Sequence, residues 1–204
     1  MSSDGVSALY LTDPPPSRIM RVALTGGPPQ SLGDTQSQGE IRCARAVNLC
    51  VVSEPGPHQQ VLYALDPVKG KGREPLSTGP LHPGQESDWD VSPDGSSLAF
   101  LRDGAQKGAL QIQIRPLTGG ARRELNISGW GNADNIRWAA DGRGWFVTVF
   151  SAGGSTLLKV DPTGKAQRLL QGSIWGDAIP SPDGRHVALG GQVVAGNVWM
   201  LENF

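Results

Sequence analysis

The segment DWDVSPDGSSLAFLRDG gathers three carboxylates, Asp88, Asp90 and Asp94, around one short turn. Clustered acids suggest a calcium ion, which takes carboxylate and carbonyl oxygens as ligands. Their spacing does not match an EF-hand loop. Strand alternation puts Asp90 on the face opposite Trp89 and Val91, and Asp94 belongs to the turn itself. These acids read as structural, and no metal site is expected. The three histidines, His58, His82 and His186, lie far apart and lack metal-ligand spacing. His58 and His82 fall in loops rich in Pro and Gly, and His186 opens a strand. A G-x-S-x-G nucleophile elbow is missing from the sequence. No catalytic residue and no cofactor are expected.

Cys43 and Cys50, in IRCARAVNLC, admit two readings. They could sit on adjacent strands within disulfide reach. Aligning Leu49 with Leu98 sets Cys50 out of phase with the inward residues, which favours buried free thiols. A disulfide would point to an oxidising compartment.

The elements that must position these residues follow from composition. The 204 residues include 28 Gly and 16 Pro. Both residues weaken helix interiors, so a helical bundle is disfavoured and many short strands joined by tight turns are expected. The net charge is −1, with no run of Lys or Arg, which argues against nucleic acid as partner. No apolar run approaches the roughly 18 residues of a membrane span, so this chain is not expected to insert in a membrane. The start, MSSDGVSALYLTD, lacks the charged and apolar regions of a signal peptide. As written, the chain reads as cytoplasmic.

The turn in WDVSPDGSSLAFL returns as WAADGRGWFV and SPDGRHVAL, which aligns Asp94 with Asp141 and Asp183. A second phrase also recurs: RIMRVALTGG at 18–27 and QIQIRPLTGG at 111–120. Each pairs an alternating strand with a Gly-containing hairpin turn. Together they define a four-strand unit, with strands a to d, at a period of roughly 40–50 residues, which is the signature of a β-propeller. The expected fold is all-β, a propeller of four-stranded antiparallel blades within a single domain, 1–204. Whole blades are expected over 40–79, 88–126 and 135–172. A partial blade at 7–32 would supply strands b to d, and another at 175–204 would supply a to c. That makes about four and a half blades, as in the C-terminal part of a longer propeller. Open sheet edges would then favour self-association.

The SPDG…LAF and LTGG…L phrases resemble the repeats of TolB-like propellers, relatives of WD-type blades. The run from IRCARAVNLCVVSE through WDVSPDGSSLAFL to NVWMLENF is similar to the C-terminal propeller of large bacterial proteins. In those proteins a serine/threonine kinase or a winged-helix DNA-binding domain comes first. The resemblance implies a sensing or docking module of a signalling protein, extracytoplasmic if its parent is a membrane receptor kinase. The sequence itself carries no His-Arg-Asp loop and no Asp-Phe-Gly, so kinase activity is not expected of it.

Of the six tryptophans, Trp89, Trp138, Trp145 and Trp199 fall in strands and read as core. Trp130 and Trp175 fall in SGWGNADN and SIWGDA, loops that lead into an innermost strand. In a propeller these loops line one mouth of the central channel, where an aromatic body with a polar tip suits a ligand. The candidate binding residues are Trp130, Asn132, Asp134, Trp175 and Asp177. The expected partner is a protein or peptide, with a small ligand as a further possibility. The alternatives are an enzyme acting in the channel and a purely structural assembly module.

Overall fold

A computed structural model describes residues 2, 5–14, 16–35, 39–56, 59–80, 88–151, 154–172 and 177–190. These residues form strands and turns only. Blade 1 holds β1 (Ser7–Leu11), β2 (Ser17–Ala23) and β3 (Gln30–Thr35). Blade 2 holds β4 (Ile41–Cys43), β5 (Cys50–Pro55), β6 (Gln59–Asp66) and β7 (Gly70–Pro80). Blade 3 holds β8 (Asp88–Val91), β9 (Ser97–Asp103), β10 (Ala109–Pro116) and β11 (Arg123–Ser128). Blade 4 holds β12 (Ala133–Trp138), β13 (Trp145–Ser151), β14 (Gly154–Val160) and β15 (Ala166–Gly172). Blade 5 holds β16 (Ala178–Pro180) and β17 (Val187–Leu189). Every pairing is antiparallel between strands consecutive in sequence, so each blade is a meander. This is the β-propeller architecture expected from the repeat. The third strand expected in the last blade, with Trp199, lies outside the described residues, as do His58 and His82.

The core is divided among the interfaces between blades. Along β9, Leu98 and Phe100 join a cluster with Val51 and Leu62 of blade 2. Their neighbours Ala99 and Leu101 join a cluster with Trp145 and Val147 of blade 4. Successive side chains of a strand point to opposite faces. Here both faces are covered, which explains why the b strands read as unbroken apolar runs such as SLAFL. Blades 1 and 2 share a smaller cluster around Ile19, Cys50, Val52 and Leu65. Blades 4 and 5 meet at Phe146, Leu157 and Ala178.

The a-to-b turn repeats in detail. In SPDG the Asp94 carboxylate accepts from Ser92 Oγ at 2.6 Å and from Ser96 N at 3.0 Å, while Gly95 N donates to Ser92 O at 2.9 Å. Gly95, Gly142 and Gly184 all adopt φ near +70°, a region that costs other residues roughly 1–2 kcal/mol. Gly95 is needed twice over, because a Cβ there would lie 2.5 Å from Val47 Cγ2 of the adjoining turn. Blade 2 spans the same gap with a different turn, in which Leu49 N donates to Val47 O, and its Arg45 and Ala46 N–H groups both donate to Pro93 O. The turns of adjacent blades are thereby bonded to each other.

The cysteines depart from expectation: Cys43 and Cys50 form a disulfide, not two free thiols. The register pairs Cys43 directly with Cys50 at a sequence separation of 7. Val91–Leu98, Trp138–Trp145 and Pro180–Val187 are the equivalent pairs flanking the same turn in blades 3, 4 and 5. Cys50 thus aligns with Leu98, and the alignment of Leu49 with Leu98 was one residue out of phase. Directly paired residues point to the same face, which brings the two sulfurs together. In blade 4 the same position holds two indoles, with ring centroids 4.7 Å apart.

Candidate functional site: the polar inner strands

The innermost strands β4, β8, β12 and β16 lie side by side around the channel. Aligned on the turn, they place Glu40, Asp88, Asn135 and Asp177 at one level and Arg42, Asp90, Arg137 and Ile179 at the next. Residues two apart share a strand face, so these levels line one surface. The intervening positions, including Trp89, Ile136 and Ala178, are buried in the interfaces.

The charged residues form a chain across four blades. Arg42 Nη2 donates to Glu40 Oε2 and to Asp88 Oδ1, both at 2.6 Å. Asp88 Oδ2 accepts from Arg137 Nη1 at 3.2 Å, and Arg137 Nη2 donates to Asp177. The Arg42 guanidinium also stacks over Trp89, 5.1 Å from the ring centroid. Carboxylates on β8 do a second task. Asp88 Oδ2 accepts from Ile136 N and Asp90 Oδ2 from Trp138 N, each at 2.7 Å. Acids two residues apart on one strand match N–H groups two residues apart on the free edge of the next. Those donors would otherwise be unpaired on an inner edge.

Burial sets the electrostatics. It raises the Asp90 carboxyl above the usual carboxylate range, with Arg42 and Arg137 offsetting only part of the effect. Glu40 is raised for the same first reason, against the pull of Arg42. Burial alone would lower the Arg42 guanidinium, but Asp88, Glu40 and Asp90 together raise it. Arg45 is lowered by burial, with Asp90 acting in the opposite direction.

The residues expected to bind a ligand are distributed differently. Asp177 is in the inner chain through Arg137. Trp130 is half-buried and packs against the cluster between blades 3 and 4. Asn132 is exposed at φ 57°, a left-handed conformation that Asn tolerates. It clips the loop to β13: its carbonyl accepts from Phe150 N and its amide Nδ2 donates to Phe150 O. Asp134 is half-buried in the first part of β12. Trp175 lies outside the described residues. Sequence reasoning read Asp88 and Asp90 as structural without finding their partners, and it passed over Arg42 and Arg137. The signal was there in the repeat: charged residues stand two and four positions before the turn in blades 2 and 3, and at one of those positions in blades 4 and 5, alternating with apolar ones.

Among the described residues, no group of His, Cys, Asp and Glu is arranged to hold a metal ion. Asp88 and Asp90 instead act as acceptors between blades, and Asp94 as the acceptor within its turn. The described part of His186 is an exposed residue whose N donates to Ser181 Oγ at 3.0 Å.

No family model matches the chain, and no curated protein matches it. Solved structures do. TolB from Acinetobacter baumannii superposes with a TM-score of 0.68 at 18% identity, over 89% of this chain and 46% of that one. The nidogen/laminin complex gives 0.57 at 12% identity, over 84% and 61%. An oligogalacturonate lyase in complex with manganese gives 0.52 at 16% identity, over 76% and 42%. The chain thus spans about half the length of the structures it matches. What these likenesses establish is the TolB-like propeller fold, which serves both an enzyme and a protein complex.

Proposed function

We propose that this chain is a non-catalytic binding module, a propeller that engages a protein or peptide partner through the loops entering its inner strands. One observation carries the reading. The acids of the inner strands, Asp88, Asp90 and Asp177, are engaged with guanidinium groups or with N–H groups of a neighbouring blade. Such engagement makes them part of the frame that holds the blades in register, whereas a general acid or base must be within reach of a substrate proton. A rigid frame with variable loops at its rim is how a scaffold presents a binding surface. On the resemblance of its repeats we place the module in the C-terminal part of a larger bacterial signalling protein. The Cys43–Cys50 disulfide favours an oxidising compartment for it.

The test is selection of binding peptides on the wild-type chain, followed by affinity measurement on Trp130→Ala and Trp175→Ala. A loss of about tenfold or more, roughly 1.4 kcal/mol, is expected, with melting temperature shifted by only a few degrees. Unchanged affinity in both variants, or collapse of the fold, rules out the loops as the binding surface.

A further inference from the structure

At the other end of the inner strands, beside the a-to-b turns, a cavity of about 380 Å3 opens. Three arginines, Arg42, Arg45 and Arg137, contribute to its wall, against the single carboxyl of Asp90. The remaining wall is largely apolar, with Val91, Trp138, Ile179 and three prolines. We propose that this cavity is a binding site for a small apolar carboxylate, held by arginine donors at its head and by the Ile179 wall along its body.

Three observations lead there. First, Arg45 is in no ion pair among the described residues. Its Nη2 donates to Pro180 O at 2.9 Å and its Nη1 to Ser181 O at 3.3 Å. Those carbonyls fix the guanidinium at the cavity while leaving part of its five-donor fork unused, and that fork matches a carboxylate in shape and charge. Second, Arg42 is buried, its side chain 7% exposed, yet its Nη1 has no hydrogen-bond partner among the described residues. A buried, unpaired donor is costly unless a partner arrives. Among the described residues Asp90 makes no hydrogen bond to Arg42 Nη1: its two oxygens accept from Val91 N and Trp138 N.

Third, Ile179 breaks the pattern of its level. The equivalent positions of the other inner strands carry Arg42, Asp90 and Arg137, but Ile179 is apolar and 51% exposed. The cavity therefore presents arginine N–H donors on one side and an apolar wall on another. Its volume is at the lower end of small-molecule pockets, roughly 300–1,000 Å3, and suits one ring or a short hydrocarbon chain with a head group. This site is on the opposite face from the partner-binding loops and does not depend on them.

The experiment titrates benzoate into the full chain by calorimetry, with benzamide and inorganic phosphate in parallel. Saturable benzoate binding is expected, at least tenfold tighter than either comparison. Arg45→Ala should weaken it at least tenfold with an unchanged circular dichroism spectrum. Ile179→Glu, at an exposed position, places a carboxylate within the cavity and should abolish benzoate binding even if the Arg45 variant does not fold. Equal binding of benzamide overturns the charge requirement, and equal binding of phosphate overturns the apolar one. Absence of saturable benzoate binding at millimolar concentrations, or binding unmoved by Ile179→Glu, overturns the site. Either failure leaves the Trp130 and Trp175 experiment standing.

Discussion

Asp88 is the residue on which most of the inner chain converges. Its carboxylate, with the side chain 10% exposed, bridges Arg42 of blade 2 and Arg137 of blade 4 and also takes the Ile136 N–H. Removing it leaves Arg42 with Glu40 alone and Arg137 with Asp177 alone and unpairs the Ile136 N–H, and broken buried pairs cost more than intact ones contribute. Asp88→Ala should lower unfolding free energy by about 3–5 kcal/mol in urea titration. A loss below about 1 kcal/mol would mean that the chain of charges behaves as an exposed surface network. Asp94, by contrast, serves only its own turn. Its hydrogen bonds from Ser92 and Ser96 hold its carboxyl below the usual range. Two acids in the same motif thus differ in role because one faces a neighbouring blade and the other faces its own backbone.

The a-to-b hairpin is the recurrent element, and its last pair before the turn is where blades differ. Blade 2 closes that pair with a disulfide, and blade 4 with two indoles. β4 is a strand of three residues, so its hold on β5 depends on few ladder bonds. Replacing Cys43 and Cys50 together by Ala should destabilise the chain by roughly 2–3 kcal/mol on the loop-closure account. Guanidinium titration of the variant checks this, and reduction of the wild-type chain should move its midpoint in the same direction. An unchanged midpoint in both would show that blade 2 is held by its interfaces with Ile19 and Trp89 instead.

Across the whole molecule the core is a series of interfaces, densest where blades 3 and 4 meet. The last sheet is thinner: β17 has two of its three residues exposed, and β15 of blade 4 is exposed along most of its length. Regions with few buried contacts open at lower free energy. Amide hydrogen exchange should therefore be slowest in β9, β10, β13 and β14 and fastest in β1 and β17. Uniform protection across all blades would show that the blades unfold as one cooperative unit.

The repeat, the turn chemistry and the all-β class were legible in the sequence because they are local. SPDG needs only a proline φ, an acceptor side chain and a glycine, and alternation needs only a strand. Buried Trp89, Trp138 and Trp145 could be read the same way. The disulfide was missed because a one-residue error in phase reverses the face of every residue in a strand. Tertiary structure alone decided what the charges do. Asp88 and Arg137 are far apart in sequence, and only the closing of blades around the channel brings the carboxylate of one inner strand onto the N–H edge and guanidinium of the next.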